Sequence, residues 1–361
     1  MIIQPSRETY HRTCGALGLL IMMAILMPGR GVAAVSEVSQ WTDPVQLSAA
    51  LSKELSSYQN IQITGSGRRF GYDQATEKFD IDTGGCYFTE TVKTSGEPES
   101  RFDFNPTYEP WSNGTGPFWA QVESVAYNGK YVLDVVYKHG ALGKLYNFNR
   151  AQVFGSLSDD KLFFGTKALL ADHFASLFLE VGDRRSLPEI LINPKVQFPN
   201  GGSWLFVPRC EIVNENGQDL IHVVFQDAPT NPCEREEIWL DPKRALLMTR
   251  RVRSFDLCVP GKKDLPRWEY IVDEAKEFAP GFWFPAKAHL TRYVANVPQE
   301  VVETEVDKVT LNVKDTGDLF NPSLKIGTVV KDNRYGDTYV VGRAGSNLHS
   351  IMRTVHPRAG E

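Results

Sequence analysis

A mainly β chain, folded as one large antiparallel sheet with a few helices, is predicted from three observations. Short runs rich in Val, Ile, Phe, Tyr and Trp recur along most of the chain, separated by Asn-Gly, Asp-Pro and Pro-Gly pairs that make turns. The connections between runs are too short for parallel crossovers, so neighbouring strands must be mostly antiparallel. Helical periodicity is confined to a few short stretches.

The chain opens with a segment to be set apart from the fold. Arg7 and Arg12 precede an uncharged run from Cys14 to Pro28, and Val32-Ala33-Ala34 supplies small residues for cleavage. Residues 1–34 are therefore expected to be a signal peptide cut after Ala34. A retained anchor is the alternative, but the apolar run falls short of the roughly 20 residues that cross a bilayer core. Cys14 precedes the run and so does not sit where a lipid-acceptor cysteine would. The expectation is an exported protein, periplasmic or extracellular, with no permanent transmembrane anchor.

The elements follow in order. Thr42 or Asp43 can cap a helix at about 43–58, with Pro44 in its first turn and Leu47, Leu51 and Leu55 on one face. Ile61–Arg69, Lys78–Ile81 and Tyr87–Val92 are strand candidates. Phe118–Tyr127 and Lys130–Tyr137 form a predicted hairpin about Asn128-Gly129, a pair suited to a type I′ turn. In Thr166–Val181, the residues Leu170, Phe174, Leu177, Phe178 and Val181 share one helical face, and a shorter helical turn is expected at Leu187–Leu191. Further hairpins are Trp204–Val213 with Leu220–Gln226, around Asn216-Gly217, and Glu236–Leu240 with Leu246–Arg253, around Asp241-Pro242-Lys243-Arg244. Long strands are expected at Trp268–Phe278, Trp283–Val294 and about 300–313. The last residues, 341–361, with Arg343, Arg353 and Arg358, are expected to form a weakly ordered tail after a single domain at 35–340.

In the third hairpin, a tight turn at 242–245 would set Trp239 opposite Met248, Glu237 opposite Arg250, Ile238 opposite Thr249 and Leu240 opposite Leu247. Both faces would then be apolar near the turn, unlike a sheet with water on one side. Protein may cover both faces, or one face lines a pocket.

Charge excludes one class of partner. The formal net charge is −5, and loss of the first 34 residues removes a net +2. With both signs interspersed and no basic stripe along the sequence, nucleic acid is not an expected partner, nor is an anionic lipid surface sought by electrostatics. Four cysteines remain in the mature part, Cys86, Cys210, Cys233 and Cys258. An oxidising compartment permits disulfides but spacing cannot assign them; Cys233 and Cys258 flank one hairpin and are the preferred pair. Cysteine and histidine spacings give no zinc site, and no cofactor is expected.

Catalytic motifs are missing too. There is no Gly-x-Ser-x-Gly elbow, no His-Glu-x-x-His helix and no phosphate-binding loop. Gly65-Ser66-Gly67 has the character of a strand bend, His222 and His289 of hydrogen-bonded strand residues, and His173 of a rim residue. Asp159-Asp160 suits a solvated or capping pair, and Asn113-Gly114-Thr115, a match to a glycosylation acceptor, suits a turn. No catalytic residue is assigned and the protein is not expected to be an enzyme.

Four segments carry a family resemblance. They are the helix leading into Ser57-Tyr58-Gln59-Asn60-Ile61-Gln62-Ile63; the strand and turn Glu237-Ile238-Trp239-Leu240-Asp241-Pro242 returning through Leu247-Met248-Thr249-Arg250-Arg251; the hairpin Phe278-Ala279-Pro280-Gly281-Phe282-Trp283-Phe284-Pro285; and Leu319-Phe320-Asn321-Pro322 with Lys325–Asp332 near the end. With these the chain resembles the LolA/LolB-like superfamily of exported bacterial proteins, over about residues 43–340. The resemblance implies an unclosed antiparallel β-barrel with helices covering its concave face. It also implies a cavity for an apolar ligand, a lipid or the acyl chain of a lipoprotein. The chain is longer than the minimal carrier of that superfamily and lacks the acceptor cysteine of its receptor branch. Expected cavity residues are Phe174, Leu177 and Phe178 on a helical lid, with Trp204, Phe206, Trp239 and Met248 on the sheet; each also suits ordinary core. The alternative is a structural module with a filled core that engages an envelope protein.

Overall fold

The computed structural model describes residues 40–93, 100–107, 120–127, 132–139, 149–154, 187–197, 203–227, 234–255, 265–294, 297–314, 319–343 and 351. The expected signal peptide, the 166–181 helix with Phe174, Leu177 and Phe178, Asn113, Asp159-Asp160, His173, and Cys233 and Cys258 lie outside them. Among the described residues no helix is long and apolar enough to cross a membrane.

After a 3-10 turn at Gln40–Thr42, helix α1 runs over Pro44–Ser56, with Asp43 Oδ1 accepting from the Val45 amide at 3.0 Å. This cap satisfies an amide that the first turn would otherwise leave open. The four-residue spacing does its work: Leu47 and Leu51 are buried. Helix α2, Leu187–Ile192, buries Leu187, Ile190 and Leu191. The two helices are joined by Ser48 Oγ, which donates to the Pro188 carbonyl at 2.7 Å.

Sixteen strands make one sheet. In chain order they are β1 (Asn60–Asp73), β2 (Lys78–Lys93), β3 (Ser100–Thr107), β4 (Ala120–Tyr127), β5 (Val132–His139), β6 (Asn149–Phe154), β7 (Lys195–Gln197), β8 (Ser203–Glu215), β9 (Gln218–Asp227), β10 (Glu234–Asp241), β11 (Leu247–Phe255), β12 (Leu265–Ala279), β13 (Phe282–Val294), β14 (Val297–Leu311), β15 (Val329–Asp332) and β16 (Asp337–Val340). Their order across the sheet is β16-β15-β6-β5-β4-β3-β2-β1-β14-β13-β12-β11-β10-β9-β8-β7. The order is linear, with β16 and β7 at its ends, so the sheet is unclosed. All pairs are antiparallel except β15 on β6. The fold class is thus mainly β, an unclosed antiparallel sheet with short helices, as expected.

Turn chemistry explains the hairpins and one surprise. Glu215 pairs with Gln218, leaving Asn216 and Gly217 at φ of 52° and 80°, the left-handed pair that a type I′ turn needs. At the first hairpin Tyr127 pairs with Val132, so four residues connect the strands, where Asn128-Gly129 alone was expected. The expected strands 78–81 and 87–92 are one strand, β2, whose partner β1 takes up two register shifts, at Arg69/Phe70 and Gly71/Tyr72.

The third hairpin differs most. Asp241 caps a 3-10 turn at Pro242–Arg244, and Ala245 and Leu246 follow at φ of 53° and 59°. Trp239 then pairs with Arg250 and Leu240 with Met248, leaving Thr249 as a bulge whose hydroxyl donates to the Trp239 carbonyl at 3.3 Å. The expected opposition of Trp239 and Met248 is therefore wrong: the longer turn and the bulge put them on opposite faces.

The core occupies both faces. Helices α1 and α2 pack on what we call the inner face, over Ile221, Val223, Phe225, Ile238, Leu240, Met248, Tyr270, Ala288, Leu290 and Val302. The same face continues across β1 and β2 as a second cluster of Ile61, Ile63, Phe88, Val92, Phe282, Phe284 and Val306. Followed through β2, β3, β4 and β5, the register puts Leu133 and Val135 on the other face, where with Ala151 and Val153 they pack on Leu324, Val330 and Val341. Val341 is buried and Ile351 packs on the same cluster, so the core reaches past the expected domain end at 340.

Candidate functional site

Residues that look isolated in the sequence become neighbours once the inner-face strands are in register. Side chains alternate along each strand, so every second residue of β9 to β14 and β1 shares this face. One row across the sheet reads Phe225, Glu236, Arg253, Trp268, Arg292, Glu300 and Gly71; the next reads Val223, Ile238, Arg251, Tyr270, Leu290, Val302 and Arg69. Four arginines, two glutamates and two aromatic rings thus lie together beside the apolar floor.

Their contacts are specific. Arg251 Nε donates to Glu236 Oε1, both side chains are almost fully buried, and the Arg251 guanidinium lies 4.8 Å from the centre of the Trp268 ring. Glu300 accepts from two guanidiniums, from Arg69 Nε at 2.7 Å and from Arg292 Nη1 at 2.8 Å. Arg69 and Arg292 keep 40 % and 30 % of their side chains exposed, whereas Glu300 keeps 13 %. The carboxylate sits deeper than the two cations that clamp it.

The outer face carries a separate network. The His222 ring stacks on Trp239 at 4.4 Å, and the Arg250 guanidinium lies 4.6 Å from the same indole. His222 Nδ1 lies 3.1 Å from Glu211 Oε1 and Nε2 lies 3.0 Å from Glu237 Oε2. The hydrogen bond from His222, with Arg235 beside it, holds the Glu237 carboxyl below its ordinary range despite burial. His289 likewise bonds Asp273, at 2.8 Å. Both histidines have the hydrogen-bonded strand role expected of them.

Of the expected cavity residues, Met248 is a packed core residue beneath the helices, and Trp239 lies on the opposite face between His222 and Arg250. These two do not line one cavity. Trp204 and Phe206 fall in β8, and their side chains lie outside the described ones. Cys210 is a free thiol in the core under α1, pushed up to about 12 by burial and by the Asp43 carboxylate. Among the described residues no group of three or more His, Cys, Asp or Glu is arranged to hold a metal.

The arginine rows escaped the sequence reading. Their only signal was alternation: Arg251 and Arg253 flank Val252, as Trp268 and Tyr270 flank Glu269.

No family model matches the chain, and no curated protein matches it. Solved structures do. The chain is similar to a DUF1329 family protein from Desulfovibrio piger, at 13 % identity and a TM-score of 0.44, over 78 % of this chain and 98 % of that one. It is also similar to a domain assigned as an outer membrane lipoprotein-sorting protein domain, from Vibrio parahaemolyticus, at 9 % identity and a TM-score of 0.42, over 77 % and 97 %. The similarity is one of architecture, and it is to the kind of fold that the turn motifs resembled.

Proposed function

We propose that this protein binds an apolar ligand, a lipid or a lipoprotein acyl chain, against the inner face of its sheet and performs no chemistry on it. One observation carries the reading. The apolar floor does not stop where α1 and α2 end but continues on the same face through Ile61, Ile63, Phe88, Val92 and Val306, beside the half-buried Trp268. An acyl chain laid on such a floor gains about 0.8 kcal/mol for each methylene removed from water, so no directed polar contact is needed for useful affinity. The signal-peptide character of the first 34 residues places this activity in the cell envelope or outside it.

The test is native mass spectrometry of the mature protein from cell envelopes, followed by lipid extraction. Bound lipid that is lost in Trp268→Ala, and kept in Trp239→Ala on the other face, supports the reading. A second reading rests on the filled space under the helices, where Leu47 is 0 % and Met248 2 % exposed. In that reading the protein is an interaction module with a closed interior. A monodisperse, ligand-free protein that ignores added lipid would favour it and refute ours.

A further inference from the structure

We infer that the arginine rows of the inner face are a head-group site for an amphiphile with one carboxylate or phosphate, which Arg292 and Arg69 hold. The inference rests on the apolar-ligand reading and specifies the ligand.

Charge arithmetic is the first support. The chain is acidic overall, at −5, yet its two inner-face rows gather Arg69, Arg251, Arg253 and Arg292 against Glu236 and Glu300. Arg251 and Glu236 neutralise each other in the interior. At the other end one carboxylate, Glu300, serves two guanidiniums, so that triad keeps a positive charge. Local charge of this kind attracts an anion whatever the net charge of the chain.

Access is the second. Glu300 is shielded, while Arg292 and Arg69 reach solvent above it. An approaching anion therefore meets guanidinium first, and a guanidinium offers the paired N–H donors that match carboxylate and phosphate oxygens.

Placement is the third. Beside this triad on the same face lie Trp268, paired with Arg292, and then Tyr270, Leu290 and Val302 of the buried floor. Adjacent rows are only about 7 Å apart along the strands. A head group on Arg292 and Arg69 would thus have apolar surface within the reach of its own first methylenes. A bare ion would use only the arginines; an amphiphile would use both.

The experiment is calorimetric titration of the mature full chain with dodecanoate, dodecyl phosphate, dodecanol and inorganic phosphate. Both anionic amphiphiles are expected to bind at least about tenfold more tightly than the alcohol, with a preference that shrinks as salt is raised. Arg292→Gln should abolish the preference and leave the alcohol's affinity unchanged. Glu300→Gln, which removes the competing carboxylate, should tighten both anions. Equal binding of acid, phosphate and alcohol, or an unchanged preference in Arg292→Gln, would overturn the head-group assignment while the apolar-ligand reading stands. Inorganic phosphate binding as tightly as dodecyl phosphate would reduce the site to a simple anion site and sink the amphiphile. Failure of all four probes would end both readings. Should Arg292→Gln not fold, the Glu300→Gln result decides, and no tightening there refutes the assignment.

Discussion

Arg251 and Glu236 form an ion pair across β11 and β10 with only 1 % and 5 % of their side chains exposed. A buried pair of this kind adds little over well-packed apolar residues, but either partner left alone is a stranded charge. Arg251→Met or Glu236→Leu singly should therefore cost about 3–5 kcal/mol. The double variant should recover most of that loss. Urea denaturation of the four proteins measures the coupling; additive losses would show that the two side chains act independently.

Gly65 should tolerate no side chain. A Cβ there would run into the Glu305 carbonyl of β14 and lie 2.8 Å from the Phe88 ring. Neither can move without disturbing the register shift at Thr64/Gly65. Gly65→Ala is expected to destabilise by about 1–3 kcal/mol or more, whereas Gly217→Asn, at an open left-handed turn position, should cost far less. Thermal melts of both variants compare them directly.

The Glu237–His222 contact sets an acid limit. Because the folded protein holds the Glu237 carboxyl below its ordinary 4.5, chiefly through the His222 hydrogen bond, folding is favoured by the ionised form. That contribution is complete above the ordinary value and is lost as pH falls through the lowered one. Stability should therefore decline below about pH 4.5. In Glu237→Gln the protein should be weaker at neutral pH and its acid slope shallower. Melting temperatures across pH 3–7, a range of about four units around the carboxylate value, show whether the slope changes.

Cys210 should be silent toward thiol reagents in the native state. Its thiol, buried under α1 and pushed up to about 12, offers almost no thiolate at neutral pH. Iodoacetamide followed by peptide mapping should find this position modified only after unfolding. Rapid native labelling would mean that α1 lifts from the sheet.

How much of this could be seen in the chain alone varied with the range of the interaction involved. Helix α1 was legible because its cap, its proline and its leucine spacing lie within 14 residues of one another, Asp43 to Ser56. Asn216-Gly217 was legible for the same reason. The Asp241-Pro242 turn was seen but its register was not. The left-handed pair Ala245 and Leu246 and the bulge at Thr249 lengthen the return by one residue, and one residue is enough to exchange faces. Trp239 and Met248, expected as neighbours in a cavity, parted for that reason alone.

The amino-acid sequence by itself determined the class of fold, the open antiparallel sheet and the helices laid on it, because alternation and turn preference are local properties of the backbone. Only the tertiary structure decided which side chains meet. Arg69 and Glu300, bonded across β1 and β14, stand 231 residues apart. Strand register, summed over every turn and bulge between them, is what brings such residues together.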